Sequence, residues 1–505
     1  MSDGPDPRGG FPETIPDLLE WRAARAGSGA WLFFEGDSWT LGDVVDQADR
    51  FAVGLAERGV VPGDRVALLV GNRPEALFAW FGANRLGAIA APINPALKPV
   101  EVAGLFGLEG PHVVVVADEH RALAEAARAL LDDDASPALV TPAALASAGA
   151  GAPRAPVRPD DVAVLIATSG TTGAPKAVMQ THAAYALTAE AFPSWVGVDA
   201  SDRLLVALPL FHINAQAYST MGALGSGAGL ALLPRFSASR FWREARRLGA
   251  TQVNAVGAMI QILLDTPARA ADREHAVRVV YSALALPEER HRAFELRFGL
   301  AMTVGYGMSE TTFGTVWPRG EPPRYGAMGR LRQHPRLGTI SRARVVLDDG
   351  SAAPDGTTGE LWLSSPATTP GYWGDPVQTA ATIVDGWLRT GDLVRRDGDG
   401  WFTFVTRKRE VLRRRGENVA AAEIENALLS HPAVAEAAAV GVPSELGEDE
   451  IVAYVAPRAG VAVDPESLRA WVRERLADFK VPSVIHVRDA LPHTATERVA
   501  KHLLK

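Results

Sequence analysis

The sequence predicts an α/β protein, with a large N-terminal domain of α/β sheets packed with helices and a small α+β C-terminal domain. Helix-like and strand-like segments alternate through the first four hundred residues, and the pattern changes after "GWFTFV". A chain of 505 residues also exceeds the size at which one hydrophobic core keeps growing. "TLGDVVDQADRFAVGLAERG" has apolar residues at helical spacing and ends at a glycine; "DRVALLV" reads as a buried strand, "EALFAWFGANRLG" as a helix and "AIAAPIN" as a strand. Further strands are expected at "HVVVVAD", "DVAVLIAT", "DRLLVALP", "GLALLP", "TQVNAVG" and "RVVYSAL". Residues 136–160 are rich in Ala, Pro and Gly without sustained periodicity and read as a surface connection. Beyond a basic run, "AAEIENALLSHPAVAEAAAVGV" reads as helix, turn and strand, and "PESLRAWVRERLADF" as an amphipathic helix. The domains are therefore set at 1–408 and 409–505.

Composition narrows the function. A net charge of −8, with 51 basic residues and no long basic stripe, argues against a nucleic-acid binder, whose affinity comes from neutralising phosphates. The chain has no cysteine, which excludes disulfides, thiolate metal sites and cysteine nucleophiles. The N-terminus lacks the apolar core of a secretory signal, and "TMGALGSGAGLALLP" is too short and glycine-broken to span a bilayer, so a cytosolic protein is expected. No zinc-ligand spacing occurs among the 11 histidines.

"TSGTTGAPKAV", Thr168 to Val178, carries small hydroxyl residues and glycines ending in a lysine. Such a loop can cradle phosphate, because hydroxyls and exposed backbone N–H groups donate to anionic oxygens while the ammonium supplies charge. It is not a Walker loop. Pro175 stands at the place of the second glycine and Ala177 at that of the Mg²⁺-binding hydroxyl residue. A Ser/Thr/Gly loop by itself is a solvated turn, but here "GYGMSET", "WLRTGDLVRRDGDGWF" and "RKREVLRRRGENV" follow in order.

With these motifs the chain resembles the adenylate-forming superfamily of acyl-CoA synthetases, nonribosomal-peptide adenylation domains and firefly-type luciferases. The resemblance runs from "TLGDVVDQADRFAVGLAERGVVPGDRVALLVGN" to "LPHTATERVAKHLL"; "PLFHINAQAYSTMGAL" and "RRRGENVAAAEIE" point to the carnitine/crotonobetaine-CoA ligase-like members. It implies ATP, Mg²⁺ and CoA, and a C-terminal domain that is mobile about a hinge near Arg409. Thr168, Ser169, Gly170, Thr171, Thr172, Gly173 and Lys176 would wrap the β and γ phosphates. Ser309 would contact the α-phosphate, Glu310 would hold Mg²⁺, and Tyr306 and Gly307 would lie along the adenine. Asp392 and Arg407 would bind the ribose hydroxyls, and His212 would position or gate beside the acid and the nucleophile's route. Gly416 aligns with the segment that presents backbone to the pantetheine arm.

The pattern breaks in the C-terminal loop, where the family has Gly followed by a Lys that bridges acid and α-phosphate. Here Glu497 and Arg498 stand in those places, and a planar, bulkier guanidinium is no neutral substitute for an ammonium. Ala283, Ala285 and Ala177 replace glycines, which is expected to narrow the channel and favour small or flat acids. The resemblance implies an ATP-dependent ligase that forms an acyl-adenylate from a small carboxylic acid, releases pyrophosphate and passes the acyl group to CoA or another nucleophile. Two alternatives remain open at this point: a diazotase that activates nitrite for an aryl amine, and a nucleotide-binding relative without turnover.

Overall fold

The computed structural model describes residues 10–132, 136–149, 151, 154–169, 175–283, 285–286, 288–407, 411–414, 417–443, 449–458, 460–492, 499, 501 and 504. Among them, one sheet has six strands in the spatial order Ala138–Val140, Val113–Val116, Arg65–Leu69, Ile89–Pro92, Val162–Ser169 and Pro175–Thr181. The first five run parallel and the last turns back antiparallel. Val113 to Val116 are all 0% exposed, as unbroken apolar strands covered on both faces should be. Helix Leu41–Ala56 starts where Thr40 Oγ1 accepts from the Asp43 N–H at 3.1 Å while Asp43 accepts from the Thr40 N–H at 2.8 Å. This reciprocal cap satisfies two amides that the first turn would otherwise leave unpaired.

A second, fourteen-stranded sheet is parallel at its centre and antiparallel at both ends. Strands Arg203–Val206, Gln252–Ala255, Val279–Ser282 and Ala301–Met308 lie side by side in parallel. Thr311–Val316 then pairs antiparallel with Ala301–Met308 and leads through Ala327–Leu331 to Phe402–Arg407 and Trp387–Arg396. Helices His182–Val196 and Met221–Ser226 pack in close contact beside this sheet: a Cβ on Gly225 would lie 1.8 Å from the Ala189 carbonyl oxygen. Only a residue without a side chain fits there.

All eight strands expected from the apolar runs are present. The expected connection at 136–160 differs. Ala138–Val140 adds an edge strand beside Val113–Val116, and helix Pro142–Ala146, capped by Thr141, buries Leu145 completely. A three-residue strand and a five-residue helix are too short to develop a readable period.

C-terminal to these sheets, the ribbon Val411–Arg414/Glu417–Ala420 leads into helix Ala421–Leu429. A three-stranded sheet of Val434–Pro443, Asp449–Pro457 and Val484–Val487 follows, with helix Pro465–Arg475 packed on it. Its apolar core includes Ile424, Leu428, Ile451, Val455, Leu468 and Val472, and Leu97 packs both on this core and on the cluster around Phe106. No helix among the described residues is long and apolar enough to cross a membrane.

Glu109, at the end of helix Pro99–Glu109, is 1% exposed, and neither carboxylate oxygen has a hydrogen-bond partner. Burial pushes its carboxyl from 4.5 up to about 8. Between those values the folded chain keeps a proton that the unfolded chain has shed, so stability falls as pH rises through this window and levels off above it. Glu109→Gln is expected to raise Tm at pH 8 by several degrees and to converge with the parent near pH 4.5; thermal unfolding at the two pH values checks this, and equal shifts at both would contradict it.

Candidate active site

Two antiparallel strands flank the glycine-bearing loop. Strand Val162–Ser169 pairs antiparallel with Pro175–Thr181, and Thr168 faces Lys176 in register at its base. Lys176 Nζ lies 5.2 Å from the centre of the Tyr372 ring, within cation–π range. Tyr372 donates its hydroxyl to Glu310 Oε1 at 2.9 Å. Burial pushes the Tyr372 phenol well above its ordinary range, and the Glu310 carboxylate adds to the shift, so the hydroxyl keeps its proton and stays a donor.

Ser309 and Glu310 form the two-residue connection between strands Ala301–Met308 and Thr311–Val316, whose last register pair is Met308 with Thr311. This second hairpin tip is stitched to the first sheet. Gln180, 0% exposed, donates its amide to the Ser309 carbonyl, and the Thr369 N–H donates to the Glu310 carbonyl at 2.7 Å. The segment 368–373 completes the seam. Tyr372 bridges to Val178, the Trp373 N–H donates to the Ala177 carbonyl at 2.8 Å, and Thr368 bridges to Thr311.

On the strand before that tip, Tyr306 donates its hydroxyl to Asp392 Oδ2 at 2.6 Å, and Asp392 pairs in register with Arg407. Gly307 admits a polar cluster behind the strand, since a Cβ there would lie 2.4 Å from the Tyr218 hydroxyl. The fully buried Arg332 donates to the Tyr218 and Tyr281 hydroxyls and to the Thr315 carbonyl. Burial opposes its charge, but the two phenols outweigh burial and hold its pKa above the ordinary value.

His212 precedes a π-helical segment, Asn214–Thr220, a form that recurs at functional sites. Its Nε2 lies 3.0 Å from Glu417 Oε1, across the boundary between the large body and the C-terminal unit. Burial pushes the Glu417 carboxyl up, but the charge and hydrogen bond of His212 and the charge of Lys480 more than offset this and hold it below the usual carboxylate range. A cleft of about 510 Å³ opens here, lined by Thr168, Pro175, Phe211, His212, Glu417 and Asn426 among others.

The structure thus brings Thr168, Lys176, Ser309 and Glu310 to one seam, with Tyr306, Gly307 and Asp392 on the adjoining strands and His212 across the cleft. Gly170, Thr171, Thr172, Gly173, Arg409, Gly416, Glu497 and Arg498 lie outside the described residues, as do the side chains of Ser169 and Arg407. Two of the alanines expected to narrow the channel pack elsewhere. Ala177 is buried with Ile89, Ala91 and Leu165, and Ala285 packs against Val304, Trp317 and Trp401. Tyr372, Gln180 and Glu417 are site residues that the motifs do not single out. Glu417 stands beside the glycine of "RRRGENV", and Tyr372 sits in "TTPGYWGD", where an aromatic after Pro-Gly is the signal in the sequence.

A family model described as AMP-binding enzyme matches residues 19–373, and one described as AMP-binding enzyme C-terminal domain matches residues 423–498. The chain belongs to the AMP-binding enzyme family. It is an AMP-forming ligase of the acyl-CoA synthetase type, using ATP, Mg²⁺ and CoA. It is 36% identical to a sulfoacetate–CoA ligase of Cupriavidus necator, with 97% of each chain covered. It is 32% identical to a crotonobetaine/carnitine–CoA ligase of Salmonella arizonae, with 88% of this chain and 89% of that one covered. Among solved structures it resembles o-succinylbenzoate CoA synthetase from Bacillus subtilis at 26% identity, covering 97% of this chain and 98% of that one. The TM-score is 0.85 to a double mutant bound with its product analogue OSB-NCoA and 0.71 to the complex with AMP. Nothing in these relatives favours nitrite activation.

The residues present fit Mg²⁺. Among the described residues no cluster of three or more His, Asp or Glu could cage a metal, whereas Mg²⁺ is commonly held by one or two carboxylates together with substrate phosphates. Glu310, at the tip of the second hairpin, would supply that carboxylate. Tyr372→Phe removes the hydroxyl that orients Glu310 and is expected to slow acyl-adenylate formation about tenfold and to raise the Mg²⁺ concentration needed for half-maximal rate; an unchanged Mg²⁺ dependence would contradict this.

Proposed function

We propose that the protein activates a short, polar carboxylic acid as its acyl-adenylate and then transfers the acyl group to CoA, with residues 409–505 acting as a lid that rotates about Arg409 between the two steps. The observation that carries this reading is the seam in which Lys176, Tyr372 and Glu310 converge beside the base of the phosphate loop. A carboxylate is a poor acyl donor because its leaving group would be oxide. In the first step its oxygen forms a bond to the α-phosphorus of ATP and the bond to pyrophosphate breaks; in the second, the CoA sulfur bonds the acyl carbon and AMP departs. Both steps need alignment and charge stabilisation more than covalent help from the protein.

Thr168 to Lys176 would hold the β and γ phosphates and Ser309 the α-phosphate. Glu310 would hold Mg²⁺, which when bound neutralises charge on the phosphate oxygens. Tyr306 would pack along the adenine, and its bond to Asp392 would orient that carboxylate toward the ribose hydroxyls, with Arg407 as a donor on the paired strand. Arg498 would take the part of the family's lysine, binding acid and α-phosphate as a fixed cation. His212, tied to Glu417, would gate the thiol's route.

The TM-score of 0.85 to the enzyme with a CoA product analogue, against 0.71 to the same enzyme with AMP, supports a lid seated for the second step in this chain. The names of the relatives, which act on sulfoacetate and on crotonobetaine or carnitine, support a short acid with a second polar or charged group. The use of ATP and CoA fits a cytosolic location.

Pyrophosphate release measured with sulfoacetate, crotonobetaine, carnitine, acetate, benzoate and palmitate is expected to give the highest kcat/KM with one of the short polar acids; no acceleration by any of them would refute the reading. Glu310→Gln is expected to lower that rate on the order of a hundredfold, and Arg498→Lys to raise the adenylation rate; an equal or slower rate in the latter would remove Arg498 from the lysine's role.

A further inference from the structure

The C-terminal unit meets the large body at a second place, among residues that line the same cleft as His212. Lys480 Nζ lies 2.6 Å from Glu101 Oε1, on the body, and 2.6 Å from Glu423 Oε2, within its own unit. The three side chains are 9%, 11% and 9% exposed in the order Lys480, Glu101, Glu423. The second oxygen of Glu101 accepts from the Ala477 N–H at 3.0 Å and from the Lys98 N–H at 2.9 Å, and Lys98 in turn lies 3.9 Å from Asp478. One carboxylate at the start of helix Pro99–Glu109 therefore grips both the side chain and the backbone of the turn around Asp478–Lys480.

The charges are arranged so that this grip can be released. Lys480 and Glu423 travel together, so the ammonium keeps a close carboxylate when the unit moves away. Glu101 keeps its cap on Lys98 and gains water. Neither half is left as a buried charge without compensation, the condition that makes breaking most buried ion pairs so unfavourable. In the seated position, by contrast, Lys480 is the cation between two carboxylates that face each other across the boundary. Without that cation this orientation would place Glu101 against Glu423 at low dielectric.

We propose that Glu101 and Lys480 form a reversible latch that positions the C-terminal unit for acyl transfer to CoA, and that Glu101 is a positioning residue for that step alone. This rests on the two-step reading above. Glu101→Gln is the decisive variant, because Gln preserves the helix cap and leaves the Lys480–Glu423 pair inside the unit intact; Lys480→Met is a harsher companion.

With preformed acyl-adenylate, single-turnover transfer to saturating CoA is expected to slow on the order of tenfold in E101Q, while acid-dependent ATP–pyrophosphate exchange stays at the parental rate or rises. The chain has no cysteine, so nitroxide labels at V377C on the body and E474C on the C-terminal unit, both exposed, report the orientation directly by pulsed electron resonance. The distance population of the seated form should fall in E101Q and K480M without any substrate. Parental rates and distances in E101Q would overturn the latch, as would a parallel loss of both half-reactions or a transfer defect abolished by raising CoA further. If the parent activates no acid at all, the two-step reading fails, while the distance measurement still decides whether the pair seats the unit.

Discussion

Two β-hairpins from different sheets must face one another for this site to exist, and among the described residues no ladder runs between them. The contact is made by a few polar groups and one short segment. Gln180 donates to the carbonyl at one tip, Tyr372 donates to the carboxylate beside it, and residues 368–373 bridge to Val178 on one side and to Thr311 on the other. Because Gln180 is fully buried, the bond to Ser309 satisfies a group whose desolvation would otherwise oppose the packing. The same stitches set how far the ammonium of Lys176 stands from the carboxylate of Glu310. Geometry in the phosphate region is thus a product of inter-sheet packing rather than of the glycine-bearing loop alone.

The C-terminal unit obeys a different logic. Its own core is apolar and self-contained around Ile424, Val455 and Leu468, and Leu97 reaches it from the body. Its links to the body are largely ionic or hydrogen-bonded: His212 with Glu417, Lys480 with Glu101, and the Ala477 amide with Glu101. Polar links separate with less loss than apolar ones because water replaces the partners, which suits the rotation proposed for this unit. The large body, by contrast, is joined through a continuous hydrophobic core from Ile15 to Tyr372.

Much of this was legible in the amino-acid order. Val113–Val116, Val162–Ser169 and Val279–Ser282 are apolar runs of strand length because parallel strands are covered on both faces. Lys176, Ser309, Glu310 and Asp392 stand in short motifs that keep their spacing. Partners drawn from distant segments leave no such mark. Gln180 and Ser309 are 129 residues apart and Tyr372 and Glu310 are 62, so neither bond imposes a local pattern. The burial of Ala177 and Ala285 was likewise hidden, since whether a methyl group points to a channel or to a core depends on strand parity at the site.

The contact between Gly225 and the Ala189 carbonyl has a bearing on how such a protein can diversify. Backbone pressed against backbone leaves the helix after the π-helical segment no freedom to slide outward, so it acts as a fixed post behind the residues that follow His212. New acid preferences in descendants of this chain would then arise by exchanging side chains on a stationary frame, and enlargement by helix displacement would be closed to them.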